Sequence, residues 1–145
     1  MTRFVFLGLL LAAAPARAGN IRITVLHTND IHGWIMPRPA HFHAADPKRP
    51  IGGAAALAAY VKKVQGPKLL LDAGDWFQGT PEGALRDGQA MAEVFNALGY
   101  DALEAGNHDF DNGEASLEGI IKSIKAPVLC ANVYRSEGER APECK

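Results

Sequence analysis

From Ile21 to Leu26 the apolar residues Ile21, Ile23 and Val25 alternate with Arg22 and Thr24, the period of a strand with one buried face. After Gly52-Gly53 the period changes to that of a helix, with Leu57, Tyr60, Val61 and Val64 on one face, and Gly66-Pro67 stops it. Leu69-Leu70-Leu71, inside the segment 68–73, is a continuous apolar run of the kind that parallel strands buried on both faces show. Met91, Val94, Phe95 and Leu98 predict a second amphipathic helix, closed by Gly99 as a left-handed cap. A brief strand follows from Asp101 to Ala105, then a third helix with Leu117, Ile120, Ile121 and Ile124 on one face, and a fourth strand from Val128 to Val133. Strands and helices thus alternate, which is how a parallel sheet is built through right-handed crossovers. Between the first strand and the first helix, Trp34 to Pro50 holds four of the nine prolines and reads as a long irregular loop.

The N-terminus does not fit this alternation. Arg3 precedes eleven apolar or small residues, Phe4 to Ala14, and then Pro15 and the small-x-small triplet Ala16-Arg17-Ala18. This is the pattern of a secretory signal peptide over residues 1–18, and it predicts an exported, periplasmic or extracellular protein. The run falls short of the roughly 20 residues that span a bilayer, and no later run is longer, so no stable membrane anchor is expected. The whole chain carries a formal charge of −1, and losing Arg3 and Arg17 would make the remainder more acidic. Its basic residues are scattered, which argues against a nucleic-acid partner. Cys130 and Cys144 would sit in an oxidising compartment, where pairing is open to them, although Cys130 in its apolar run also reads as plain core.

The polar residues change the picture most. In an open parallel sheet, ligands bind beyond the carboxyl ends of the strands. Here the first strand ends in Asp30 and His32, the second in Asp75, and the third in Asn107 and His108. Each has an ordinary reading as a turn or cap residue. Three consecutive strand ends that all release metal-capable side chains on one rim point to a metal site. Carboxylate, imidazole and amide together suit manganese, iron, zinc or cobalt better than calcium or copper. Asp30-x-His32 can place two ligands on one ion, and Asp75 between flanking ligand sets can bridge two ions. Such a pair polarises a phosphoryl group and activates water at neutral pH, so phosphate-ester hydrolysis is the reaction expected. His108 suits a role beside the ions, because Asp111 three residues on can hold one ring nitrogen and favour the imidazolium.

These segments resemble the 5′-nucleotidase family of the calcineurin-like metallophosphoesterases. The likeness lies in Leu26-His27-Thr28-Asn29-Asp30-Ile31-His32-Gly33, in Leu71-Asp72-Ala73-Gly74-Asp75 with Gln78-Gly79-Thr80, and in Gly106-Asn107-His108-Asp109-Phe110-Asp111-Asn112-Gly113; it continues through Pro127-Val128-Leu129-Cys130-Ala131-Asn132. The resemblance implies an α/β fold, a four-layer α-β-β-α sandwich of two sheets between helices, with two divalent metal ions. This chain would hold its first β-α-β-α-β-α-β portion, residues 19–145 being an incomplete domain. By motif position Asp30 and His32 would bind the first ion, Asp75 would bridge, and Asn107 would bind the second. His108 and Asp111 would form the catalytic dyad, with Asn107 and His108 also touching substrate. Asp109 stands where many members have glutamate and is not expected as a ligand.

The implied substrate is a small nucleotide, hydrolysed without a covalent intermediate. Sister activities on the same framework are UDP-sugar hydrolysis, 2′,3′-cyclic nucleotide phosphodiesterase activity and thiosulfohydrolysis; a non-catalytic binding module is a further alternative, against which the His108–Asp111 pair speaks. Family members take further ligands from a later Gly-His-x-His segment and recognise the nucleoside with a C-terminal domain. Neither segment is among these residues, so this stretch alone is expected to bind metal poorly and turn over little. His27 reads as a structural hydrogen-bonding residue, while His41 and His43 belong to the loop. No glycine-rich phosphate loop follows a strand, and Ser116, Ser123 and Ser136 lie on no nucleophile elbow.

Overall fold

The computed structural model describes residues 20–136, so the expected leader and Cys144 lie outside the described residues. The elements in order are β1 (Thr24–Thr28), β2 (Arg38–Pro39), β3 (Pro50–Ile51), α1 (Gly53–Lys63), β4 (Lys68–Asp72), α2 (Gln89–Leu98), β5 (Ala102–Glu104), a 3₁₀ turn (His108–Phe110), α3 (Glu114–Ser123) and β6 (Val128–Leu129). β1, β4, β5 and β6 form one parallel sheet in that spatial order. Because the order advances in one direction, right-handed crossovers carry all three helices over the same face. α1 accordingly touches α2, and α2 touches α3.

That face holds the core. Trp76, Phe77, Met91, Phe95, Leu103 and Ile120 are fully or almost fully buried. Phe95 of α2 meets Trp76 edge-on at 5.7 Å and Tyr100 at 5.1 Å. Burying one such ring contributes about 1.5–3 kcal/mol, and here it also fixes the chain next to Asp75. Gly99 has φ 73° and closes α2, as the sequence predicts.

The opposite face is bare. Val25 pairs in register with Leu69 and His27 with Leu71, while Glu104 pairs with Leu129. Val25, His27, Leu69, Glu104 and Leu129 are exposed there. The run Leu69-Leu70-Leu71 predicts burial on both faces; among the described residues only the Leu70 side is covered. Of the four layers the resemblance implies, these residues supply one helical layer and one sheet. His27 stands on the bare face and makes no side-chain hydrogen bond among the described residues.

Three boundaries differ from the periodicity. β1 begins at Thr24 rather than Ile21, because its partner begins only at Lys68. β6 stops at Leu129, since the chain turns at once and Val133 N–H bonds Cys130 O at 3.3 Å. Within the proline-rich loop, β2 and β3 pair antiparallel over two positions; proline lacks the N–H that a longer ladder needs. Tyr60 shares a helical face with Val61 by spacing, yet it is 61% exposed. It lines a mainly apolar cavity of about 450 Å³ with Trp34, Met36, Leu57 and Met91, at the mouth of the α1–α2 groove. Cys130 is buried and disulfide-bonded.

Candidate metal centre

Three loops leave the carboxyl ends of β1, β4 and β5, and the first two are zipped together beyond their strands. Asp30 N–H bonds Gly74 O at 2.9 Å, His32 N–H bonds Asp75 O at 2.9 Å, and Gly33 N–H bonds Trp76 O at 2.7 Å. This register turns Asp30, His32 and Asp75 toward one another. Their potential ligand atoms all lie within 4.8 Å. The backbone is strained at the same three residues, with φ of 52°, 48° and 61°. Non-glycine residues seldom occupy that region, and such strain gathers at functional sites.

His32 shows which of its nitrogens faces the cluster. Its Nδ1 lies 2.7 Å from the Gln78 carbonyl oxygen, which only accepts, so Nδ1 carries the proton and Nε2 offers a lone pair. Nε2 is 3.7 Å from Asp30 Oδ1 and 4.0 Å from Asp75 Oδ2, too far for direct hydrogen bonds. Two atoms each about 2.1 Å from a shared ion stand roughly 3–4 Å apart, so the donor set fits a divalent cation in both spacing and chemistry. Asn29 donates its side-chain N–H to Asp30 Oδ2.

The third loop joins through Asp75, whose Oδ1 accepts the N–H of His108 at 2.9 Å. Asp75 therefore turns one oxygen toward His32 and the other toward the Asn107–His108 peptide. Asn107 is exposed at the start of the 3₁₀ turn, adjacent to that contact. The His108 and His32 rings meet edge-on at 5.4 Å. His108 Nδ1 is 2.8 Å from Asp111 Oδ2, as the spacing predicts, and this hydrogen bond raises the imidazole above its ordinary pKa. His41 and His43 are exposed in the loop.

Two buried carboxylates close to the cluster were not legible as parts of it. Asp109 is 0% exposed. It accepts from Asp75 N at 2.9 Å, Trp76 N at 2.8 Å and Gly106 N at 2.8 Å. Burial pushes its carboxyl up to about 6 against the pull of these three donors. Asp72 accepts from Gly74 N at 2.9 Å and from the Thr28 hydroxyl at 2.5 Å, and burial raises it also. Thr28 in turn is 2.7 Å from the Tyr100 hydroxyl. The signal available in the sequence was the pair of extra aspartates within Leu71-Asp72-Ala73-Gly74-Asp75 and Asn107-His108-Asp109.

Gly74 and Gly106 let these loops touch. A Cβ at Gly74, where φ is 100°, would stand 2.6 Å from the Gly106 Cα. Gly74→Ala is expected to cost about 1–3 kcal/mol, the range for overpacking against atoms that do not yield. Urea unfolding checks this: a variant as stable as wild type would show that the two loops separate without penalty.

Residues 23–138 match the family described as calcineurin-like phosphoesterase. The chain belongs to that family. Among its curated relatives, the 5′-nucleotidase of Bos taurus is 39% identical over 136 residues, covering 90% of this chain and 23% of the bovine protein. Among solved structures, the NAD nucleotidase of Haemophilus influenzae superposes with a TM-score of 0.73 at 32% identity, over 85% of this chain and 23% of that one. A 5′-nucleotidase precursor from Thermus thermophilus gives 0.70 at 36% identity, over 83% and 24%. This phosphoesterase chain thus spans about a quarter of the length of the relatives it matches. The α/β class and the parallel sheet are those of the N-terminal parts of these neighbours.

Proposed function

We propose that this chain is the N-terminal portion of an exported, divalent-metal-dependent phosphohydrolase that releases phosphate from nucleotides, with residues 1–18 as its leader and 19–145 as an incomplete catalytic domain. The observation that carries the reading is the Asp30–His32–Asp75 cluster beside the His108–Asp111 pair. Likeness to 5′-nucleotidases supplies the substrate class. Among the described residues no helix is long and apolar enough to cross a membrane.

In this reading Asp30 and His32 hold one ion, Asp75 is shared, and Asn107 serves a second. Bound divalent ions would polarise the phosphoryl group and make water acidic enough to attack at neutral pH. His32 is kept in its ligating tautomer by the Gln78 carbonyl. His108, oriented through Nδ1 by Asp111, keeps Nε2 for a phosphoryl or leaving-group oxygen and delivers a proton there. Displacement in this reading is direct, without a covalent intermediate.

A second reading, cleavage at a dinucleotide pyrophosphate, is favoured by the likeness to an NAD nucleotidase. The other sister activities would draw on the same residues, so the cluster itself does not choose among them. The test is turnover by the full-length protein, stripped with chelator and reconstituted with Mn²⁺, read as phosphate released from a nucleoside monophosphate and as the mononucleotide formed from NAD, a UDP-sugar and a 2′,3′-cyclic nucleotide, whose cleavage frees no phosphate. Metal-dependent turnover of the monophosphate is expected to be fastest. No metal-dependent turnover of any of the four would sink the proposal.

A further inference from the structure

Three successive backbone N–H groups, those of Gly74, Asp75 and Trp76, all end on buried carboxylates: the first on Asp72 and the other two on Asp109. Asp109 also takes the N–H of Gly106 at the start of the third loop. The contact is reciprocal. Asp109, from the third loop, holds the backbone of Asp75, while Asp75, from the second, holds the backbone of His108. Neither loop moves without breaking a bond to the other.

We infer that Asp109 is a positioning residue for the metal pair: by this clasp it sets the placement of Asp75 relative to Asn107 and His108, and thereby the affinity of the second ion. The inference rests on the proposed ligand roles of Asp75 and Asn107. Asp109 is fully buried, its two oxygens are taken up by backbone N–H groups, and it is outside the Asp30–His32–Asp75 cluster, so it is not proposed as a ligand.

The clasp needs a carboxylate. Oδ1 serves Trp76 and Oδ2 serves both Asp75 and Gly106, so both oxygens must accept. An asparagine there would aim its NH₂ at an N–H whichever way it turned, leaving buried donors unpaired. Outer partners that orient ligands typically alter metal affinity about 10- to 100-fold when lost.

Mn²⁺ titration of the full-length protein, read by the loss of the free-ion EPR signal with circular dichroism as the fold control, tests this. In Asp109→Asn the first ion is expected to bind within about threefold of wild type and the second about 10- to 100-fold more weakly. Asp109→Glu, which keeps the charge and both acceptors, is expected to restore most of the second-site affinity. A folded Asp109→Asn with two wild-type sites would overturn the inference, as would equal weakening of both sites with no rescue by glutamate. Should Asp109→Asn fail to fold, Gly106→Ala carries the test. Its Cβ would come closest to Asp75 Oδ1, the oxygen that holds the His108 N–H, and stand 2.6 Å from Asp75 N, so it presses on the Asp75 side of the same seam while Asp109 stays in place. Selective loss of the second ion is expected, and unaltered two-ion binding would count against the clasp. Asp75→Asn separates the two levels. If it retains both ions the shared-ligand role of Asp75 on which the inference rests fails, whereas if it loses one or both while folded Asp109→Asn keeps both, only the positioning role fails.

Discussion

Asp75→Asn in the full-length protein is expected to bind at most one divalent ion per chain and to release phosphate at least about 10²-fold more slowly than wild type. The substitution removes one of the two carboxylates of the cluster. It preserves shape, and the amide oxygen can still accept the His108 N–H, so the loops remain joined. The fold should therefore survive while the ligand proposed to be shared is lost, which separates this variant from one that merely unfolds. Metal content by mass spectrometry and phosphate release from a nucleoside monophosphate are the two measurements. Wild-type turnover would remove Asp75 from its place as the ligand both ions share.

His108→Ala is expected to do the reverse: both ions stay, and kcat falls by about 10² to 10⁴, the range for losing a positioned general acid or base. The imidazole lies beside the cluster and contacts it through the His32 ring, while its Nδ1 is committed to Asp111. Asp111→Asn should reduce kcat less than His108→Ala, because it acts only by orienting that ring. An unchanged kcat in His108→Ala would take the pair out of the mechanism, and loss of metal in it would make His108 a ligand.

Much of the architecture is legible because burial on one sheet face imposes a period. Met91 and Phe95 could be placed in the core from spacing alone, and the strand-helix alternation implied a parallel sheet. Tyr60 shows the limit: a helical face is wider than the neighbour that covers it, so a residue at its margin reads as core and ends exposed. The shortening of β6 was hidden for another reason, since whether Cys130 continues a strand depends on what lies beside it.

The cluster divides in the same way. Asp30, His32 and Asp75 were readable because turn chemistry alone rarely puts ligating side chains at successive strand ends. Asp109 was not, although it sits between two residues singled out for chemistry. Its direction is set by a 3₁₀ turn and by the approach of Gly74 to Gly106, which are facts of three dimensions. Sequence spacing reports which residues are near one another along the chain; it does not report which way a carboxylate faces.

The left-handed backbone at Asp30, His32 and Asp75 sets stability against function. Only glycine adopts a left-handed conformation without cost, and aspartate and histidine accept it with strain, whereas the proposed ion chemistry needs the carboxylates and imidazole that stand there. Selection for thermal robustness alone would drift these three positions toward residues that relax the chain and erase the centre. In the proposed reading their identities record a trade-off, in which the local fold tolerates strain because ion binding requires the side chains that stand there.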